Sequence, residues 1–107
     1  MNNLLPIFMN LEGQHCLVVG GGKIACQKIQ KLLKCKAHVT VMAPNIHKSI
    51  QSFSVEIKKH TYKSEHIKKY QLIIAATNDK KLNQQIYHDA KKRGIPINVV
   101  DQPELCS

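Results

Sequence analysis

The stretch Cys16-Leu17-Val18-Val19-Gly20-Gly21-Gly22-Lys23-Ile24-Ala25 decides how this chain is read. Its apolar start predicts a β-strand covered on both faces. Three glycines follow at once, and then a segment with helical spacing. The pattern fits G-x-G-x-x-A, a tolerated form of the dinucleotide-binding fingerprint. Gly20 permits the tight turn, and Gly22 carries no Cβ to obstruct phosphates. Ala25 is small enough for the helix to lie close on the strand. The spacing alone arises by chance, so the strand before it and the helix after it give it its weight.

Working outward, Pro6-Ile7-Phe8-Met9 and Gln14 to Val19 read as two strand-like runs joined by a turn at Leu11-Glu12-Gly13. From Lys23 to Lys34 the apolar residues Ile24, Ala25, Ile29, Leu32 and Leu33 fall on one helical stripe, and the lysines fall outside it. Val39 to Ala43 is a second core strand ended by Pro44. A short helix is expected over Ile46 to Phe53, a short strand at Val55-Glu56-Ile57 and a helical turn from Ser64. Leu72 to Ala76 is another strand. Thr77-Asn78-Asp79 offers capping groups to a helix in which Leu82, Ile86 and Ala90 recur every four residues. Gly94 and Pro96 end that helix before a last strand at Ile97 to Val100. Alternating strands and helices predict an α/β fold: a Rossmann-like, doubly wound parallel sheet in one three-layer domain spanning residues 1–107. Ligands of such sheets bind at the carboxyl ends of the strands. Three loops therefore converge there, at Gly20–Ile24, Ala43–Asn45 and Ala76–Asn78, with Asp101 on the same edge.

The net charge is +9, from 16 Lys and Arg against 7 Asp and Glu, and Arg93 is the sole arginine. The charge predicts an anionic partner. Nucleic-acid readers rely on arginine forks and stacking aromatics, and this chain has no Trp, three Tyr and two Phe, so nucleic acid is not expected. No apolar run approaches the length of a membrane span, and the start of the chain does not resemble a signal peptide. Cys16, Cys26, Cys35 and Cys106 form no C-x-x-C pair and are read as reduced thiols of a cytoplasmic protein. The six histidines lack the spacing that gathers metal ligands on one helix face, so no metal site is expected.

Two features qualify the cofactor. An NAD site commonly carries an acid about 20 residues after the glycines, bonding the adenosine ribose. Here Val41-Met42-Ala43-Pro44-Asn45 has none, nor an arginine for a 2′-phosphate. Backbone groups and Asn45 have to replace the acid, with NAD preferred over NADP. Asp101, just beyond the last strand, is the candidate general base, with a turn-forming aspartate before Gln102-Pro103 as the plain alternative. Thr77 and Asn78 are placed to bond a nicotinamide ribose, to cap the helix, or to do both.

Taken together, Leu5 to Phe8, Val18 to Ala25, Val39 to Pro44, Ala75 to Asp79 and Asn98 to Asp101 resemble the siroheme-synthase N-terminal family in five registered motifs. The resemblance implies NAD-dependent oxidation of precorrin-2 to sirohydrochlorin in siroheme biosynthesis. Some members of that family also act as sirohydrochlorin ferrochelatases. Carried over by position, Lys23-Ile24 and Pro44-Asn45 contact NAD beside Gly20, Gly21 and Gly22, Thr77-Asn78 lies at the nicotinamide, and Asp101 is the catalytic base. Precorrin-2, with its many carboxylates, gives the lysines an object. The family's dimerisation and helical regions lie outside these residues, and a homodimer is expected where they are present. The alternative reading is a non-enzymatic NAD(H)-sensing module, which would usually keep the ribose acid.

Overall fold

Every residue from Cys16 to Val19 is buried, and successive side chains enter opposite cores. Cys16 and Val18 point into one layer, Leu17 and Val19 into the other, as the two-residue period of a strand requires. This strand, β1 (His15–Val19), is therefore central. The computed structural model describes residues 8–100. Around β1 lie β2 (His38–Met42), β3 (Glu56–Lys58), β4 (Leu72–Ala75) and β5 (Ile97–Val99), all parallel, in the order β3-β2-β1-β4-β5.

Helix α1 (Lys23–Lys34) and the single turn α2 (Lys48–Gln51) cover one face. Helix α3 (Lys80–Lys92), with a 3₁₀ turn at Ser64–His66, covers the other. On α1 the residues Ala25, Ile29 and Leu32 are buried against Val18, Val39 and Val41. On α3, Ile86 and Ala90 meet Leu17, Ile73 and Val99. The expected doubly wound, three-layer sheet is what the chain forms. Its order reverses at β1, because the chain winds outward through β2 and β3 and returns on the far side at β4. That reversal opens a crevice between the carboxyl ends of β1 and β4.

Departures from the expected elements are local. Phe8 and Met9 are exposed and belong to no strand, and the other half of that run, Pro6-Ile7, lies outside the described residues. The helix expected over Ile46 to Phe53 contracts to Lys48–Gln51, because the His47 ring accepts from the Ser49 amide as an N-cap and Ser52 already ends it. The strand at Val55 begins one residue later, in register with β2. Cys35 is the exposed C-cap of α1. Cys16, Cys26 and Cys35 are all free, and no helix among the described residues is long and apolar enough to cross a membrane.

Burial, with a smaller contribution from Cys35, pushes the Cys16 thiol up from its ordinary 9.0 to about 11. The folded protein then holds a proton that the unfolded chain gives up. Stability from this group is complete below the unfolded value and is lost as pH rises through the folded one. Thermal unfolding across pH 8 to 11 is expected to show a fall that Cys16→Ala reduces. Maleimide in native buffer is expected to label Cys35 first and to spare Cys16.

Candidate functional site

The turn after β1 is built by backbone contact. Gly20 has φ +133°, a region that other residues seldom enter, and its amide donates to the Met42 carbonyl at 3.0 Å. A Cβ at Gly20 would collide with the Ala76 carbonyl oxygen and come within 2.8 Å of its carbon. A Cβ at Gly21 would collide with the carbonyl oxygen of Asn45. The Gly21 carbonyl in turn accepts from the His47 amide at 2.7 Å. The first two glycines thus weld the ends of β1, β2 and β4 together.

Gly22 is different. A Cβ there would meet nothing within 4 Å, and its backbone is extended (φ −101°, ψ −159°). Among the described residues no neighbour explains glycine at this position. Gly22 is also the N-cap of α1, so no side chain caps the helix, and its first turn holds no acid. The amides of Lys23, Ile24 and Ala25 have no acceptor within the helix. Lys23 and Ile24 border the cleft at the positive end of the helix dipole. By contrast, Asp79 caps α3 by accepting from the Lys81 and Leu82 amides at 3.1 and 3.2 Å.

The cleft measures about 880 Å³ and is walled by the three expected loops. Gly20, Gly21, Gly22, Lys23, Ile24, Pro44, Asn45, Thr77 and Asn78 all border it. Ile24 is partly exposed at its mouth. A dinucleotide fits this chemistry: free amides and an open glycine for a diphosphate, and apolar walls for the bases. Asp101 lies outside the described residues. Val100 before it is buried, and its amide donates to the Ala75 carbonyl at 3.1 Å.

Thr77 is occupied with the protein. Its hydroxyl donates to Asn83 Oδ1 at 2.6 Å and accepts from the Asp79 amide at 3.1 Å. Asn83 Nδ2 donates to the Thr77 carbonyl at 3.0 Å. Through these bonds Thr77 shapes the start of α3. Asn83, almost fully buried, was invisible as a site residue. An amide on the inward side of an otherwise apolar helical stripe was the available signal. Tyr62 and Leu82 also line the cleft without having been expected. The Tyr62 hydroxyl donates to Asp89 Oδ2 at 2.7 Å. Burial, then that hydrogen bond and the carboxylate charge, hold its ionisation above the usual tyrosine range, with Arg93 opposing weakly. Among the described residues no group of three or more His, Cys, Asp or Glu is placed to hold a metal ion. Histidine rings there pair with each other twice, His15 with His38 and His60 with His66, and His88 meets Tyr87.

Residues 7–107 match the family model described as "Putative NAD(P)-binding". The chain belongs to this NAD(P)-binding family. Among curated relatives it is 42% identical over 106 residues to the siroheme synthase of Nitrosococcus oceani, covering 95% of this chain and 23% of that protein. It is 41% identical over 109 residues to the siroheme synthase of Neisseria meningitidis serogroup B, covering 98% and 23%. The chain therefore spans under a quarter of the length of these relatives. Among solved structures, SirC, a precorrin-2 dehydrogenase, aligns with a TM-score of 0.80 at 27% identity, over 92% of this chain and 50% of that one. The apo form of D-lactate dehydrogenase from Escherichia coli aligns at 0.70 with 14% identity, over 92% and 32%, and shares the fold.

The two kinds of glycine separate in a stability experiment. Gly21→Ala, forced against the Asn45 carbonyl, is expected to cost about 1–3 kcal/mol in urea unfolding. Gly22→Ala, facing open space, is expected to stay within about 1 kcal/mol of the parent.

Proposed function

We propose that this domain binds NAD⁺ across the cleft and serves the oxidation of precorrin-2 to sirohydrochlorin in siroheme formation. The observation that carries the cofactor half is the empty space over Gly22 in front of the uncapped start of α1. A glycine with no steric reason inside the protein has one if a diphosphate lies against it. The substrate half is supported by the likeness to siroheme synthases and to the precorrin-2 dehydrogenase SirC.

In this reading Gly22 and the amides of Lys23 and Ile24 hold the diphosphate, with Gly20 and Gly21 shaping the turn. Pro44 and Asn45 border the adenosine ribose, where a carboxylate is commonly found. Thr77 and Asn78 border the nicotinamide ribose, Thr77 through its backbone and methyl group since its hydroxyl is engaged by Asn83. The bound cofactor supplies the hydride acceptor. The protein aligns the substrate carbon with it, keeps water out and receives the proton. Asp101, which follows β5 by two residues in the sequence, is the group assigned to take that proton. The lysines attract the carboxylates of an anionic tetrapyrrole. NAD⁺ is preferred over NADP⁺ because Arg93 stands at the C-cap of α3, away from the end of β2. A cytoplasmic setting, and a homodimer once the remaining regions of the relatives are present, complete the proposal.

Calorimetric titration is expected to show NAD⁺ binding more tightly than NADP⁺, and Gly22→Ala weakening NAD⁺ at least about tenfold with the melting temperature little changed. Tighter binding of NADP⁺ would refute the cofactor preference. In a full-length relative carrying this domain, the equivalent of Asp101→Asn is expected to slow precorrin-2 oxidation about a hundredfold or more, with NAD⁺ affinity intact. Unimpaired turnover there removes Asp101 from the chemistry.

A further inference from the structure

The adenosine half of a dinucleotide lies toward the end of β2 in a doubly wound sheet, since that is where its ribose acid stands. In this chain β2 ends at Met42 and runs into Ala43-Pro44-Asn45, with no charge. Something else has to define that half. Strand β3 flanks β2 on its outer side, so residues leaving β3 border the same region. Two of them, Thr61 and Tyr62, line the cleft with Met42 and Leu82.

The segment after β3 has little regular structure to hold it, only one 3₁₀ turn before β4. Tyr62 supplies the missing fixation. It is half-buried against the α3-side core, and its hydroxyl reaches Asp89, 27 residues further on, at 2.7 Å. Asp89 follows Leu82 by two helical turns on the same side of α3. The side chain therefore runs along the helix and ties the β3–β4 connection to it. A hydrogen bond to a carboxylate is of the stronger kind. The raised ionisation of Tyr62 keeps its proton in place well beyond neutral pH.

We infer that Thr61 and Tyr62 form the outer wall of the adenine subsite, and that the hydrogen bond to Asp89 holds this wall in position. The inference rests on the cofactor reading above. Tyr62 is the binding residue and Asp89 the positioning residue behind it. Recognition of the adenosine half then depends on a pre-set apolar wall, which offsets the absent carboxylate by lowering the ordering cost of binding.

The test titrates NAD⁺ and ADP-ribose into the parent, Tyr62→Leu, Asp89→Leu and Asp89→Asn. Magnetisation transfer between tyrosine ring protons and the bound cofactor is measured by NMR. Tyr62→Leu is expected to weaken both ligands by the same factor, about tenfold, as loss of a base–aromatic contact does. Asp89→Leu is expected to weaken both, and Asp89→Asn, which keeps an acceptor oxygen, to restore binding to within about twofold of the parent. A merely structural carboxylate gives no such rescue of ligand affinity. Transfer is expected at the adenine protons and is expected to vanish in Tyr62→Leu. The assignment is overturned if the parent binds NAD⁺ but both leucine variants bind it equally well, or if transfer runs to the nicotinamide protons. Should Tyr62→Leu fail to fold, Tyr62→Phe, which keeps the ring and loses the tether, carries the comparison. A parent that binds neither NAD⁺ nor ADP-ribose refutes the cofactor reading itself.

Discussion

The contact on which the rest of the structure depends is that of Gly20 and Gly21 with the carbonyls of Ala76 and Asn45. Both approaches are closer than any side chain permits. They bring the exits of β1, β2 and β4 into one rigid junction, completed by the Gly20 amide on Met42 and the His47 amide on Gly21. Because the junction is backbone on backbone, it does not relax through rotamers, and the cleft inherits its shape from the sheet register. The third glycine is released from that duty. Among the described residues, the space where its Cβ would stand is open.

Charge plays a separate part. Among the described residues the one ion pair within 4.0 Å joins Lys58 and Glu56, both partly exposed, at 3.4 Å. Such a pair contributes little to stability. None of α1, α2 and α3 carries an acid in its first turn, although an acid there would stabilise each helix. The N-termini of α1 and α3 meet the cleft, bearing Lys23 and Lys80-Lys81. Folding thus draws on the two apolar layers, and Lys23 is left at the edge of the cleft.

Polar side chains are used sparingly inside, and two of them fix loops. Asn83 spends both ends of its amide on Thr77, setting the start of α3 against β4. Tyr62 does the same for the connection after β3 through Asp89. A buried polar group that is fully paired specifies one arrangement, because any other leaves it unsatisfied. Tyr70 is the counter-example: among the described residues its buried hydroxyl has no partner, while its ring is buried in the cluster of Ile67, Ile73 and Ile97.

Periodicity and punctuation alone determined the parallel sheet, its order of elements, the two-faced burial of β1 and the glycine turn. These are local properties: alternation, helical spacing and the lack of a Cβ are written in neighbouring residues. The same information placed nine cofactor candidates on one cleft, since a doubly wound topology brings strand ends together. What the tertiary structure decided is which glycines are closed in by neighbouring backbone and which one faces open space. It also decided that the Thr77 hydroxyl is already spent, and that Asn83, Tyr62 and Asp89 belong to the site's framework. Those distinctions rest on distances between residues far apart in the chain, and no local pattern encodes a distance that exists only once β1, β2 and β4 have met.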